Sequence, residues 1–159
     1  MSGFTSKALA GIIAIASKDD DLSSSMERIR HWTSEGLLTP IGEKNPGTGR
    51  RRLYDREGMY MALILNELAN WGLGVRQTNQ SYFHEAFELA KRAAKTIDQR
   101  AWAGIEVILI INRDSTLETP KASLFEGPIP LQIKADSDSS MAINLTKLLT
   151  RTTRIWFPS

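Results

Sequence analysis

The chain has no cysteine among its 159 residues. That excludes disulfides and thiolate metal sites, and it agrees with a reducing compartment. Histidine is nearly as scarce. His31 and His84 are far apart and have no ligand-spaced companions, so no metal site is expected. No apolar run approaches the ~20 residues that span a bilayer, so no membrane partner is expected either. The nearest approach is ALAGIIAIAS (Ala8–Ser17). It is short, a single lysine precedes it, and it reads better as a first helix than as a secretory leader. An excess of one charge is also missing. Twenty Lys and Arg face eighteen Asp and Glu, a net charge of +2, so bulk charge alone would not hold a polyanion. Finally, we find no nucleophile–base pair and no glycine-rich phosphate loop followed by lysine. No enzyme activity, catalytic residue or cofactor is expected.

What is present is the composition of a globular protein, 42% hydrophobic and 24% charged. That is enough for one ordinary domain or two small ones. The positive charge, modest in sum, is clustered. Arg50, Arg51, Arg52 and Arg56 fall within seven residues. Alone, such a run is as readily a solvated loop as a binding surface.

The flanking pattern gives the run its meaning. Phe4 to Ala16 reads as a helix capped by Thr5 or Ser6, with Leu9, Ile12, Ile13 and Ala16 on one face. Asp19, Asp20 and Asp21 follow. They read as a solvated linker or as negative charge near the next helix N-terminus, rather than as a cation site. Ser24 and Glu27 have capping-box spacing and predict a helix start there. Met26, Ile29, Trp32 and Thr33 recur at helical spacing, and Gly36 ends the helix, with Leu37 and Leu38 folding back before Pro40. Ile41–Gly49 is turn-rich, and Arg50–Tyr54 leaves it as a short strand. Asp55 caps a third helix with Met59, Leu63, Leu65, Leu68 and Trp71 as core candidates, closed by Gly72 and Gly74.

After a polar break at Gln77–Asn79, a long amphipathic helix is expected over Gln80–Trp102. Phe83, Phe87, Ala90, Ala94 and Ile97 lie along one side and suit either core or a contact between subunits. Ile105–Ile111 suits a buried strand. Ser123–Phe125 is a candidate strand, and Ile129, Leu131 and Ile133 alternate as in a half-buried one. Asp136–Ser140 reads as a loop. Met141, Ile143 and Leu145 alternate again, and Thr146–Arg154 is ambiguous with a short helix.

Residues 4–75, and most strongly 25–75, resemble the DNA-binding domain of the MerR-type transcription regulators. RIRHWTSEGLLTP (Arg28–Pro40) is similar to that family's second helix and the glycine turn after it. TGRRRLYDREG (Thr48–Gly58) is similar to its wing strand and the acidic cap that follows. ALILNELANWGLGV (Ala62–Val75) is similar to its helix ending in a glycine turn. Two departures stand out. The segment between Phe4 and Arg30 is longer than the family's first helix and turn, and the strands after Gly104 match nothing in the family.

The resemblance, taken with the strand patterns after Gly104, implies an α+β chain in three parts. These are a winged helix-turn-helix at 1–76, a linking or dimerisation helix at 77–103, and a small dimerisation or sensing domain with a short sheet at 104–159. It implies sequence-specific binding of double-stranded DNA by a homodimer in the bacterial cytoplasm or nucleoid. RNA polymerase is a further candidate partner, and no effector is identified. The Ser25–Gly36 helix would enter the major groove. Ser24 and Ser25 would meet phosphate, Glu27 and Arg28 would reach base edges, and Arg30 and His31 would lie toward the backbone. Arg50, Arg51 and Arg52, with the Tyr54 hydroxyl, would grip phosphates beside that helix. Trp32 and Leu37 read as core. Two other readings remain open at this level: a DNA-bending accessory protein of the excisionase kind, and a protein-interaction module that offers an edge strand.

Overall fold

A computed structural model describes residues 3–17, 21–43, 51–70, 80–113, 121–127 and 139–148. The chain is α+β, with helices and two small antiparallel sheets. It divides into two compact units, and the division falls after Asn66.

In the first unit, a short strand β1 (Phe4–Thr5) leads into α1 (Ser6–Ser17). Thr5 is the cap, its Oγ1 accepting the Ala8 N–H at 3.2 Å. The helix thus starts later than the sequence predicts. Phe4 is drawn into a ladder instead, because Phe4 and Thr5 pair antiparallel with Tyr54 and Leu53 of β2 (Leu53–Tyr54). Ile41 bridges Leu53 on its other side, donating its N–H to the Leu53 carbonyl at 2.7 Å. Leu9, Ile12 and Ile13 bury one face of α1 against α2 (Leu22–Ser34), while Ala16 is only half-buried.

Helix α2 begins earlier than the Ser24–Glu27 spacing predicts. Asp21 is its N-cap, and its Oδ1 accepts the Ser24 N–H at 2.7 Å. A carboxylate at that position also meets the positive end of the helix dipole. Of the two readings for the aspartates, helix-terminal charge is the one realised at Asp21. Asp19 and Asp20 lie outside the described residues. Ser25, Ile29, Trp32 and Thr33 form the buried face.

The predicted glycine stop holds. Gly36 has φ +77°, its N–H reaches the Thr33 carbonyl, and the Leu37 N–H reaches the Trp32 carbonyl at 2.9 Å. That is the Schellman pattern, and the left-handed residue in it favours glycine. Leu38 folds back into the core and Leu37 stays half-buried.

Asp55 caps α3 (Arg56–Asn70), its Oδ1 accepting the Gly58 N–H at 2.7 Å. Every residue from Met59 to Asn66 is buried, and so is Leu68. The sequence suggests one apolar face, but over this stretch the helix is buried around its whole circumference. Trp71, Gly72, Gly74 and the break at Gln77–Asn79 lie outside the described residues.

The second unit contains α4 (Gln80–Trp102) and a three-stranded antiparallel sheet in the order β4–β3–β5. The strands are β3 (Val107–Arg113), β4 (Lys121–Glu126) and β5 (Ser139–Asn144). Ile108 pairs with Phe125 on one side and Asn144 on the other. Val107 to Ile111 are all buried, as the unbroken apolar run, rich in β-branched residues, predicts for a buried strand. Ala86, Leu89, Ala90, Ala93, Ala94 and Ile97 are buried along α4, which packs against β3 and β4. Of the stripe read as core or as a subunit contact, Ala90, Ala94 and Ile97 are core and Phe87 is half-buried, while the Phe83 side chain lies outside the described residues. The described residues of the expected parts at 77–103 and 104–159 fall within one compact unit, Glu67–Thr150.

A second Schellman turn ends α4. Gly104 has φ +71°, and the Ile105 N–H reaches the Arg100 carbonyl at 2.9 Å. Thr146 Oγ1 then accepts the Val107 N–H at 2.9 Å and helps fix the start of β3. Ser139 and Ser140, read as loop, are strand because they pair with Arg113 and Asn112. A helical turn occupies 145–148. The candidate strand at Ile129–Ile133, and the chain beyond 148, lie outside the described residues.

Candidate nucleic-acid interface

Burial divides α2 cleanly. Ile29 and Trp32 are buried with Ser25 and Thr33, Met26 is half-buried and Leu22 is exposed, while Ser23, Glu27, Arg30 and Ser34 are exposed at helical spacing on the opposite side. His31 lies beside that face, half-buried, with Nδ1 4.0 Å from Glu35 Oε1. Glu27, Arg30 and His31 thus lie on or beside the face of α2 turned away from the buried side. Ser24 is exposed as well, but its N–H is taken by Asp21 Oδ1. Only its hydroxyl remains for the phosphate role read from sequence.

Three of the expected site residues do something else. Ser25 is fully buried, and its Oγ has no hydrogen-bond partner among the described residues. It points into the first unit because it shares the face of Ile29 and Trp32, so it cannot meet a phosphate.

Arg28 sits between the two faces and is half-buried. Its Nη1 donates to Asn66 Oδ1 of α3, and Asn66 Nδ2 donates to Ser17 Oγ at 2.6 Å. Asn66 is only 1% exposed. A buried amide has to be satisfied at both its oxygen and its nitrogen. Asn66 meets that need by tying the end of α1 to α2, so Arg28 is held toward the core rather than toward a base edge.

Tyr54 is the third. It is 0% exposed, and its Oη lies 2.8 Å from Thr33 Oγ1. Thr33 has one hydroxyl hydrogen and donates it to the Ile29 carbonyl at 2.7 Å. Tyr54 is therefore the donor in the shared bond. Its hydroxyl is committed to α2 and unavailable to a phosphate. The consequence is mechanical: β2 is fastened to the helix whose outer face carries Glu27 and Arg30.

Approaching β2 the chain alternates as an extended segment does. Arg51 and Leu53 are exposed, Arg52 is half-buried and Tyr54 is buried. Arg51 is the described arginine of the 50–52 run that stands out into solvent, while Arg52 lies on the Tyr54 side. Arg50 lies outside the described residues.

Reading the sequence missed Thr33 and Asn66 as functional supports. Asn66 had a signal, a lone amide inside the apolar run ALILNEL. Thr33 had only its place in the buried periodicity.

Among the described residues, no group of three or more His, Cys, Asp or Glu is placed to hold a metal. No described helix is long and apolar enough to cross a membrane. The surface that remains presents Ser24, Glu27, Arg30, His31 and Arg51 on elements joined through the Tyr54–Thr33 bond. No family model matches this chain, and no curated protein matches it.

Proposed function

We propose that the chain is a sequence-directed, double-stranded-DNA-binding transcription regulator of the winged helix-turn-helix kind, similar to the MerR type. In this reading α2 enters the major groove. Glu27 and Arg30 face base edges, where glutamate accepts from cytosine and arginine pairs with guanine. Ser24, Arg51 and Arg52, with Arg50 from the tip, meet phosphates and set the register. Arg30 takes the base-reading place given to Arg28 from sequence, because Arg30 is exposed and Arg28 is held by Asn66.

The observation that carries this reading is the buried Tyr54–Thr33 hydrogen bond. It joins the basic strand to the back of α2, so that helix and wing present one rigid surface rather than two independent ones. A site held by rigid elements loses less freedom on binding. A single module of this size reads few bases. The working form is therefore a homodimer on a pseudo-palindromic site.

The test is selection from a random duplex library with the purified protein. Enrichment of one motif with two-fold symmetry supports the whole reading. Enrichment of a single half-site keeps the DNA contact and removes the dimer. Recovery of no sequence over the input, together with no retention of mixed duplex at low salt, refutes it.

A further inference from the structure

We infer that the outer side of α1 is the surface through which two copies of this chain pair, antiparallel, about a two-fold axis at Gly11; this rests on the homodimer of the reading above. Leu9, Ile12 and Ile13 bury one side of α1. Ala8, Gly11, Ala14 and Ile15 lie toward the other. Ile15 is 46% exposed, and no residue between Lys7 and Lys18 is charged. A surface helix ordinarily turns a polar face to water. This one turns out alanine, glycine and isoleucine, the composition of a contact rather than of a solvated face.

Gly11 has no packing reason within its own unit. Glycine inside a helix costs stability relative to alanine, and a Cβ added at Gly11 would meet nothing within 4 Å. The missing side chain lets a second backbone come close instead. Charge then selects a second copy and its direction. Lys7 stands at the N-terminal end of α1, and Lys18 to Asp21, just past the other end, carries one positive and three negative charges. Asp21 is exposed, and the helix C-terminus adds its own partial negative charge. An antiparallel pair sets each positive end on the other copy's negative end, whereas a parallel pair sets like on like. A two-fold contact is self-complementary. With the axis at Gly11, glycine meets glycine and Ala8 of one copy meets Ala14 of the other. The Lys7 stem then covers Ile15 of the other copy while its ammonium reaches toward the acidic turn.

The test uses the full chain in sedimentation velocity over a concentration series, with circular dichroism melts alongside. Wild type should sediment as a reversible dimer. Ile15→Lys removes the apolar anchor and sets like charge against Lys7 of the other copy. The dissociation constant should rise about a hundredfold, tenfold for each copy's isoleucine. A cation in the last turn suits the helix dipole, so the melt should not fall. Adding Lys7→Glu to Ile15→Lys turns repulsion into attraction in the antiparallel arrangement alone, and should recover about tenfold. The chain has no cysteine, so Gly11→Cys reports the axis directly. Mild oxidation should link two copies through it. Lys7→Cys should not link, because its two copies stand roughly 12 Å apart along the helix direction.

An Ile15→Lys variant that dimerises like wild type overturns the surface. Failure of Gly11→Cys to link, or linking of Lys7→Cys as fast, overturns the antiparallel axis. If Ile15→Lys melts early, the two cysteine variants decide. A wild type that stays monomeric at every concentration sinks the dimer and this inference together, and duplex retention by that monomer keeps the DNA contact standing. A dimeric wild type that retains no duplex sinks the DNA-binding reading and leaves the pairing surface.

Discussion

Replacing the two ends of the Tyr54–Thr33 bond should give unequal losses, and the inequality follows from which end donates. Thr33 Oγ1 spends its hydrogen on the Ile29 carbonyl, so the shared bond runs from the Tyr54 hydroxyl to Thr33. Tyr54→Phe deletes that donor. Thr33 then loses one accepted bond but keeps its own donation, so the loss should be about 1 kcal/mol, the net worth of one hydrogen bond. Thr33→Val does more harm. It leaves a phenolic O–H with no acceptor on a side chain that is 0% exposed. Stranding a buried donor costs about 1–3 kcal/mol, and the threonine's own bond to Ile29 goes too, so the sum should come to about 2–3 kcal/mol. The double variant replaces both partners with apolar groups of nearly the same shape. It should be less destabilised than Thr33→Val alone, giving a coupling of about 1–2 kcal/mol. Urea unfolding followed by helical circular dichroism measures all three. Strict additivity, or a Tyr54→Phe loss equal to or larger than that of Thr33→Val, would refute the assigned direction of the bond and the burial behind it.

Asp21→Ala should cost about 1 kcal/mol through loss of the α2 cap, whereas Ser24→Ala should be close to neutral; the reverse order in thermal melts would restore the later helix start. Gly36→Ala should cost about 1 kcal/mol from backbone strain alone, because an added Cβ there meets nothing within 4 Å; an unchanged Tm would mean the left-handed turn is not fixed. Arg30→Ala should relax base preference at one position in a duplex selection and leave stability within about 0.5 kcal/mol, as surface changes usually do. Arg28→Ala should do the opposite, keeping the selected motif while destabilising the fold by about 1–3 kcal/mol, since Asn66 loses a partner in the core. A changed motif with Arg28→Ala would return that residue to the DNA face.

Much of this was legible because local chemistry dictated it. Gly36 stops α2 because only a left-handed residue closes the Schellman turn. Asp55 caps α3 because its carboxylate reaches the Gly58 N–H. The long helix falls at Gln80–Trp102 because its small and apolar residues keep one period throughout. Where reading the sequence failed, a distant residue intervened. Phe4 leaves the first helix because Tyr54 offers it a strand partner. Ser24 loses the start of α2 to Asp21, one turn earlier, whose carboxylate takes the Ser24 N–H itself. Arg28, Ser25 and Tyr54 read as DNA contacts from sequence because arginine, serine and tyrosine suit phosphates and bases. Their burial depends on which side of a helix or strand meets the core.

The sequence by itself determined where the helices begin and end, to within a turn, which run is the buried strand and where the positive charge is gathered. Those properties follow from periodicity, capping and turn residues acting over a few positions. Only the tertiary structure decided which polar groups face inward. Three polar groups chosen for a ligand turned out to hold the fold, or to be buried in it. Tyr54 is bound to Thr33 and Arg28 to Asn66, and Ser25 lies on the buried face of α2. Such pairings join residues twenty to forty positions apart. No local pattern encodes them, because the requirement they meet, satisfying a polar group removed from water, exists only once the core has closed around it.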